Sequence, residues 1–207
     1  GRITSDDIID VIEQNATEQM YQLAGVNEEF ERDDHTLSIA KKRGLWLFIN
    51  LGTAILASLV IGLFDETIEK YVALAILMPI VASMGGNAGT QTLAVMVRKM
   101  ALGEIDIENS REAVQKEVLI SIFNGLFFAF IIGVIASFWF STYMLGVVIG
   151  LSMIINLFSA GFFGASIPLL LKKFKIDPAV GSTVLLTTVT DIVGFFSFLG
   201  LAKVMLV

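Results

Sequence analysis

The sequence predicts an all-α integral membrane protein with five transmembrane helices per subunit, and two observations carry that prediction. Hydrophobic residues make up 55% of the 207 residues and charged residues only 16%, with a mean hydropathy of +0.78, a balance far from that of a soluble globular domain. Five segments, 45–64, 71–97, 118–140, 143–171 and 179–206, each supply the ~20 mainly apolar residues that a helix needs to cross a hydrocarbon core of roughly 30 Å. The lipid bilayer is thus the first expected partner, and no nucleic-acid partner is expected. The chain has no cysteine, which removes disulfides and thiolate metal ligands together. Its polar, acidic start does not read as a signal peptide.

Taken in order, residues 1–44 are a different material from the rest. They carry Asp6, Asp7, Asp10, Glu13, Glu18, Glu28, Glu29, Glu31, Asp33 and Asp34 against only Arg2 and Arg32 ahead of the basic cluster Lys41, Lys42 and Arg43. Ile8, Ile9, Val11, Ile12, Met20, Leu23 and Val26 give a broken helical period, so one or two cytoplasmic helices are expected here, with Ser5 as N-cap and acids in the first turn to suit the helix dipole. The start at Gly1-Arg2-Ile3-Thr4, without an initiator Met, reads as cut from something longer. His35, the single histidine, is expected in a solvated linker, because a lone imidazole makes neither a metal site nor a catalytic pair. The division expected is therefore 1–44 cytoplasmic and 45–207 membrane-embedded.

Lys and Arg placement orients the spans. Lys41, Lys42, Arg43, Arg98, Lys99, Arg111, Lys116, Lys172, Lys173 and Lys175 fall on one side, and only Lys70 and Lys203 on the other. This predicts a cytoplasmic N-terminus and an outside C-terminus, with the acidic 65–70 segment as an outward loop. In the third span Gly125, Ala129, Gly133 and Ser137 form a small-residue stripe, and Gly146 and Gly150 repeat it in the fourth, which predicts close helix packing. Gly150 and Pro168 are expected to kink or shorten the fourth span. Asn50, Asn124 and Asn156 are read as interhelical hydrogen bonds, with pore lining as the alternative. Phe127, Phe128, Phe130, Phe138, Trp139 and Phe140 are expected to face lipid and the interface.

Chemistry concentrates in two places. Asp191 is read as the one charge deep in the spans, with Thr187 and Thr188 one turn before it and Gly194 after it. A carboxylate at a helix centre costs about 2.5–3.5 kcal/mol on insertion scales, so it is expected to face the bundle interior, a partner or water. It is read as an ion ligand, against a structural hydrogen bond. The second place is PIVASMGGNAGTQT, residues 79–92, which puts Pro79, Gly85, Gly86, Asn87 and Gln91 inside an apolar run. Gly85 and Gly89 form a GxxxG that packing alone would explain. Ser83, Asn87, Thr90, Gln91 and Thr92 need more, since lipid has no hydrogen-bond partners to offer. A distorted, carbonyl-exposing helix lining a pore opposite Asp191 is therefore expected. One carboxylate is a thin site for a divalent ion, and a homodimer with the pore on its two-fold axis doubles every ligand. Magnesium fits such an oxygen-only site, whereas zinc, copper and nickel would recruit His or Cys; calcium and manganese stay open.

PIVASMGGNAGTQT followed by LAVMVRKMALGEI, and then KIDPAVGSTVLLTTVTDIVGF, resembles the transmembrane domain of the MgtE family of magnesium channels, and the leading GRITSDDIIDVIEQNATEQMYQLAGV resembles the end of that family's second CBS domain and its plug helix. The resemblance implies a homodimer of five-span subunits in a bacterial cytoplasmic membrane. It also implies an upstream N domain and paired CBS domains that sense cytoplasmic magnesium. Asp191 matches the family's pore acid, Thr187 a position whose carbonyl faces the ion, and Gly85, Gly86 and Asn87 the family's Gly-Gly-Asn motif. Ser83 stands where glycine is expected and Thr90 where some members carry a second Asn. Asp7, Asp10 and Glu18 resemble acids that share regulatory magnesium, while Gln19 replaces an acid. The Gly-Met-Asn signature of the other large magnesium-channel family is absent.

The function expected is passive, inward magnesium transport, gated by cytoplasmic magnesium, with no enzymatic activity. Mg2+ is the cargo and a regulatory ligand, and no organic cofactor is expected. There is neither a G-x-x-x-x-G-K loop nor an evident proton relay. The alternatives are a carrier or exchanger of Mn2+, Co2+ or Ca2+ and, from another class, an intramembrane aspartyl hydrolase built on two symmetry-related copies of Asp191.

Overall fold

The computed structural model describes residues 4–23, 35–178 and 181–206, and every regular element among them is helical. The acids at 28, 29, 31, 33 and 34, Arg2, Arg32 and Val26, and the side chains of Ser5, Gln19 and Leu23, lie outside the described residues. The helices are α1 (Ser5–Leu23), α2 (Thr36–Gly62), α3 (Asp65–Lys70), α4 (Val72–Ala101), α5 (Ser110–Trp139), α6 (Tyr143–Lys173) and α7 (Ser182–Met205). Five of them, α2 and α4–α7, are long and apolar enough to cross a membrane, so this is a multi-pass membrane protein.

The helix starts reflect local chemistry. Thr4, not Ser5, begins α1: its backbone N–H and hydroxyl both donate to the Asp7 carboxylate, at 2.8 and 2.7 Å, and its hydroxyl accepts the Asp7 N–H at 3.4 Å. This reciprocal box satisfies two donors that a helix leaves open and places the cap one residue earlier than expected. His35 is exposed and accepts the N–H groups of Ser38 and Ile39 through its carbonyl, so α2 begins ahead of the basic cluster. The 65–70 segment is a helical turn rather than a loop. Phe64 and Thr67 are buried there and Ile68 packs beside them, which pins the turn to the bundle.

The core is organised around α6, whose most apolar window is 67% buried, against 6% for α2. Small residues set the spacing between α5 and α6, as expected. A methyl group added at Gly133 would stand 3.0 Å from the Gly146 carbonyl oxygen, one at Gly150 would stand 3.2 Å from that of Ala129, and one at Gly146 would overlap Ser137 and Gly133. Without a hydrophobic drive between helices in lipid, such close approach is a main source of association. On the other side of α6, a methyl at Gly164 would stand 2.8 Å from the Gly89 carbonyl oxygen of α4.

Helix α7 lies along α4 and runs antiparallel to it, since Gly194 meets Val81 and Leu186 meets Gly89. The Tyr71 hydroxyl donates to the Leu206 carbonyl at 2.6 Å and ties the two at one end. Helix α2 is peripheral, packing on α7 with Ala57 as its one buried residue. Phe127, Phe128, Phe130, Phe138 and Trp139 stand exposed on α5, as expected for a lipid face, while Phe140 packs on the core.

Two backbone expectations need correction. Helix α6 continues through Gly150 and Pro168 to Lys173 with no early end, because both residues are buried in the densest part of the bundle. The proline leaves the Gly164 carbonyl without its helical donor, a loss that neighbouring helices can hold in place. Likewise α4 is helical without interruption from Val72 to Ala101, across Pro79 and the whole GGNAG stretch. The distorted segment expected there is absent, and Gly85 and Gly89 sit in contacts with α6 and α7 that hold the regular form.

Candidate functional site

The two neighbouring glycines of α4 have opposite surroundings. Gly85 is buried, and a methyl placed on it would collide with the Asn156 side chain of α6. Gly86 is half-buried, and a methyl on it would meet nothing within 4 Å. Gly89 continues the buried line against Leu186 of α7 and Gly164 of α6. The packing explanation of the GxxxG therefore holds for Gly85 and Gly89, and leaves the polar residues unexplained.

Those polar residues lie on another face. Ser83, Asn87 and Thr90 are all exposed and recur at helical spacing, so they share one stripe of α4. The Asn87 amide donates to the Ser83 hydroxyl at 3.2 Å, and the Thr90 hydroxyl donates to the Gly86 carbonyl at 2.8 Å. These bonds are local to the helix and leave most of the stripe's acceptors open. Gln91 is exposed beside it, and Thr92 is buried.

On α7, Asp191 is half-buried and Thr187, one turn before it, is exposed. They flank Leu186, Thr190 and Gly194, the buried strip that faces α4 and its neighbours. The antiparallel register set by the contacts of Val81 with Gly194 and of Gly89 with Leu186 puts Asp191 at the depth of Met84, between Ser83 and Asn87. Thr187 falls at the depth of Ala88. The hydroxyls of this segment turn inward on their own helix: Thr187 donates to the Thr183 carbonyl at 2.9 Å, Thr188 to Val184 at 2.6 Å, and Thr190 to the Thr187 carbonyl at 3.1 Å. The Asp191 carboxylate has no hydrogen-bond donor or cation beside it among the described residues. Nor do those residues contain any cluster of three His, Cys, Asp or Glu side chains able to hold a metal. The expected residues are thus brought onto two adjacent helices at overlapping depths, with a single carboxylate.

Asn156 holds these helices in register. It is fully buried on α6, donates to the Val81 carbonyl of α4 at 2.8 Å, and is wedged between Gly85 and Gly194, where a methyl on the latter would stand 2.7 Å from its amide nitrogen. This is the interhelical hydrogen bond expected of it. Asn50 and Asn124 differ, both standing on exposed faces.

Two features escaped the sequence reading. Asp191 is not the only acid inside the long helices: Glu117 of α5 is 7% exposed. Its position at the edge of the apolar run hid it, although Glu117, Ser121 and Asn124 form a polar line at helical spacing. The other is an ion pair between Asp106 and Lys172, at 3.2 Å, which joins the segment after α4 to the end of α6. The Ile107 N–H that Asp106 accepts, with Lys172 beside it, holds the Asp106 carboxyl below its ordinary value. The Asp7 carboxyl is lowered too, by the backbone and hydroxyl donors of Thr4. Asp7 and Asp10 are exposed on α1, and Glu18 is half-buried.

Known proteins resemble this chain in sequence. The family model described as MgtE, divalent cation transporter, matches residues 78–201, more than half of the chain. Magnesium transporter MgtE of Bacillus subtilis is 33% identical over 202 residues, covering 98% of this chain and 45% of that protein. The protein of the same name from Thermus thermophilus is 31% identical over 210 residues, covering 100% of this chain and 46% of that one. That of Enterococcus faecalis is 32% identical over 203 residues. The chain thus spans about half the length of the curated relatives it matches.

Proposed function

Because the chain belongs to the MgtE family of divalent cation transporters, we propose that it forms the membrane pore of a passive magnesium transporter, built from two copies with the ion path on their shared two-fold axis. The observation that carries this reading is the stripe of Ser83, Asn87 and Thr90, exposed at membrane depth and level with Asp191. Lipid cannot satisfy those groups, so water or a second subunit has to face them. A symmetric partner brings a second Asp191 and a second polar stripe to the axis and completes what one subunit lacks.

The chemistry follows from the donor set. Magnesium gives up its water reluctantly and binds through one or two carboxylates while keeping several waters. Two Asp191 carboxylates would balance its charge, and the side-chain oxygens of Asn87, Ser83 and Thr187 would receive the outer waters. Metals that seek thiolate or imidazole find neither here, since these helices carry no His or Cys. With the basic ends of the helices in the cytoplasm, an inside-negative potential drives entry. Each elementary charge gains about 2.3 kcal/mol per 100 mV, so a divalent ion gains about 4.6. Residues 45–207 serve as the pore in this reading, and 1–44 as the link to sensing domains that let cytoplasmic magnesium act through Asp7, Asp10 and Glu18. The exposed Ile8, Ile9, Val11 and Ile12 of α1 support a covering partner there. Nothing at the site favours hydrolysis, which would need a substrate-handling group beside the carboxylate.

The test is magnesium uptake into proteoliposomes under an imposed potential, with Asp191→Ala prepared at equal dimer content. Uptake by the unaltered protein and a loss of tenfold or more in the variant are expected. Equal uptake by both would remove Asp191 from the ion path, and uptake driven only by a sodium or proton gradient would replace the passive reading with coupled exchange.

A further inference from the structure

A second carboxylate lies inside the helical bundle, away from Asp191. Glu117 sits seven residues into α5, about two turns from its start. Together with Gln91 and Thr92 of α4 and Ser121 and Asn124 of α5, it lines a crevice of about 230 Å³ where α4 and α5 part over α6. At 7% exposure Glu117 is more than nine-tenths buried, and among the described residues it has no hydrogen-bond donor or salt-bridge partner. No Lys or Arg lines the crevice. The carboxylate therefore opens onto the crevice and not onto a protein donor, and a cation held there would supply the charge it lacks.

The surroundings identify that charge. The other polar lining groups are two amides and two hydroxyls, all hard oxygen donors, and the volume admits an ion with several of its waters, each occupying about 30 Å³. The position is also rigid. A methyl on Gly161 of α6 would overlap the Ser121 hydroxyl and stand 3.2 Å from the Glu117 carbonyl oxygen, so α6 clamps the turn that carries both residues. Gln91 follows Thr90 directly on α4 and borders the exposed polar stripe. We propose that this crevice is a second site for a partly hydrated divalent cation of the magnesium type, centred on Glu117 and separate from Asp191. In the pore reading, on which this role rests, the site holds an ion beside the basic, cytoplasmic end of the path.

The test counts bound Mn2+, as a spectroscopic stand-in for Mg2+, by electron paramagnetic resonance on the protein in lipid nanodiscs. Glu117→Gln is expected to lose about one ion per subunit, Glu117→Asp to retain it with weaker affinity, and Asp191→Asn to leave it in place. Excess Mg2+ should displace it, and 100 mM Na+ should not. Unchanged Mn2+ binding in Glu117→Gln overturns the proposal. So does a protonated-carboxyl infrared band in the Mg2+-loaded protein that disappears in Glu117→Gln, since the positive charge is then a proton. Should Glu117→Gln not fold, Asn124→Ala, on the exposed rim, is expected to weaken the same binding about tenfold, and unchanged affinity there is equally fatal. Binding at Glu117 in a protein that shows no flux would support this site while removing the pore reading.

Discussion

Two faces of α4 carry small and polar residues in the same fourteen-residue stretch, yet they do different things. The face of Gly85 and Gly89 is buried, and it lets Asn156, Leu186 and the α6 backbone approach closely. The face of Ser83, Asn87 and Thr90 is exposed, and its side-chain hydrogen bonds stay on its own helix. A glycine in a membrane helix can therefore mean close contact, while a polar side chain one residue away means contact with water or a partner. Residue type alone does not separate these meanings. Position around the helix does.

The comparison is broken most directly by adding one methyl to each of the adjacent glycines. Gly85→Ala pushes into a trapped amide, so unfolding in detergent should show a loss of about 1–3 kcal/mol, the cost of overpacking a dense core. A variant as stable as the parent would mean that Asn156 is free to move aside. Asn87→Ala, on the exposed face, should lower magnesium flux about tenfold while stability stays within roughly 0.5 kcal/mol of the parent. A matching loss of stability would instead make the stripe a packing surface. Gly86→Ala is the sharper control: the added methyl meets nothing, and removing a helical glycine gains up to about 1 kcal/mol. Reduced flux in a fully stable Gly86→Ala would show that the open backbone itself serves the ion.

The smallest expected effect is at the surface. Asp106 has its carboxyl held below the ordinary value of 3.8 by the Ile107 N–H and by Lys172. A depressed carboxylate contributes stability that is present above its unfolded value and is lost as pH falls through the lower folded one. The melting temperature should therefore be flat from neutral pH to about 5, and the parent should lose its small advantage over Asp106→Asn below about pH 4. An advantage that persists at lower pH would point to shape rather than charge.

Much of this was legible along the chain. The five spans follow from length and hydropathy, which are local properties, and the real helices differ from the expected ones mainly at their ends. The α5–α6 seam was legible because four-residue spacing of Gly125, Ala129, Gly133 and Ser137 has no other use in an apolar helix. Pro168 and the GGNAG stretch misled, since local breakers were read without the packing that overrides them. Glu117 was missed because hydropathy places a boundary and cannot say which way a boundary residue points.

By itself, then, the sequence determined the medium, the number of spans and the identity of the available ligands, because each depends on transfer energies and donor types that belong to single residues or short runs. The tertiary structure decided which glycine is a contact and which an opening, where Asp191 stands relative to Asn87, and that Glu117 is buried without a partner. Those are relations between helices distant in sequence, created by the close packing of α4, α5 and α7 on α6.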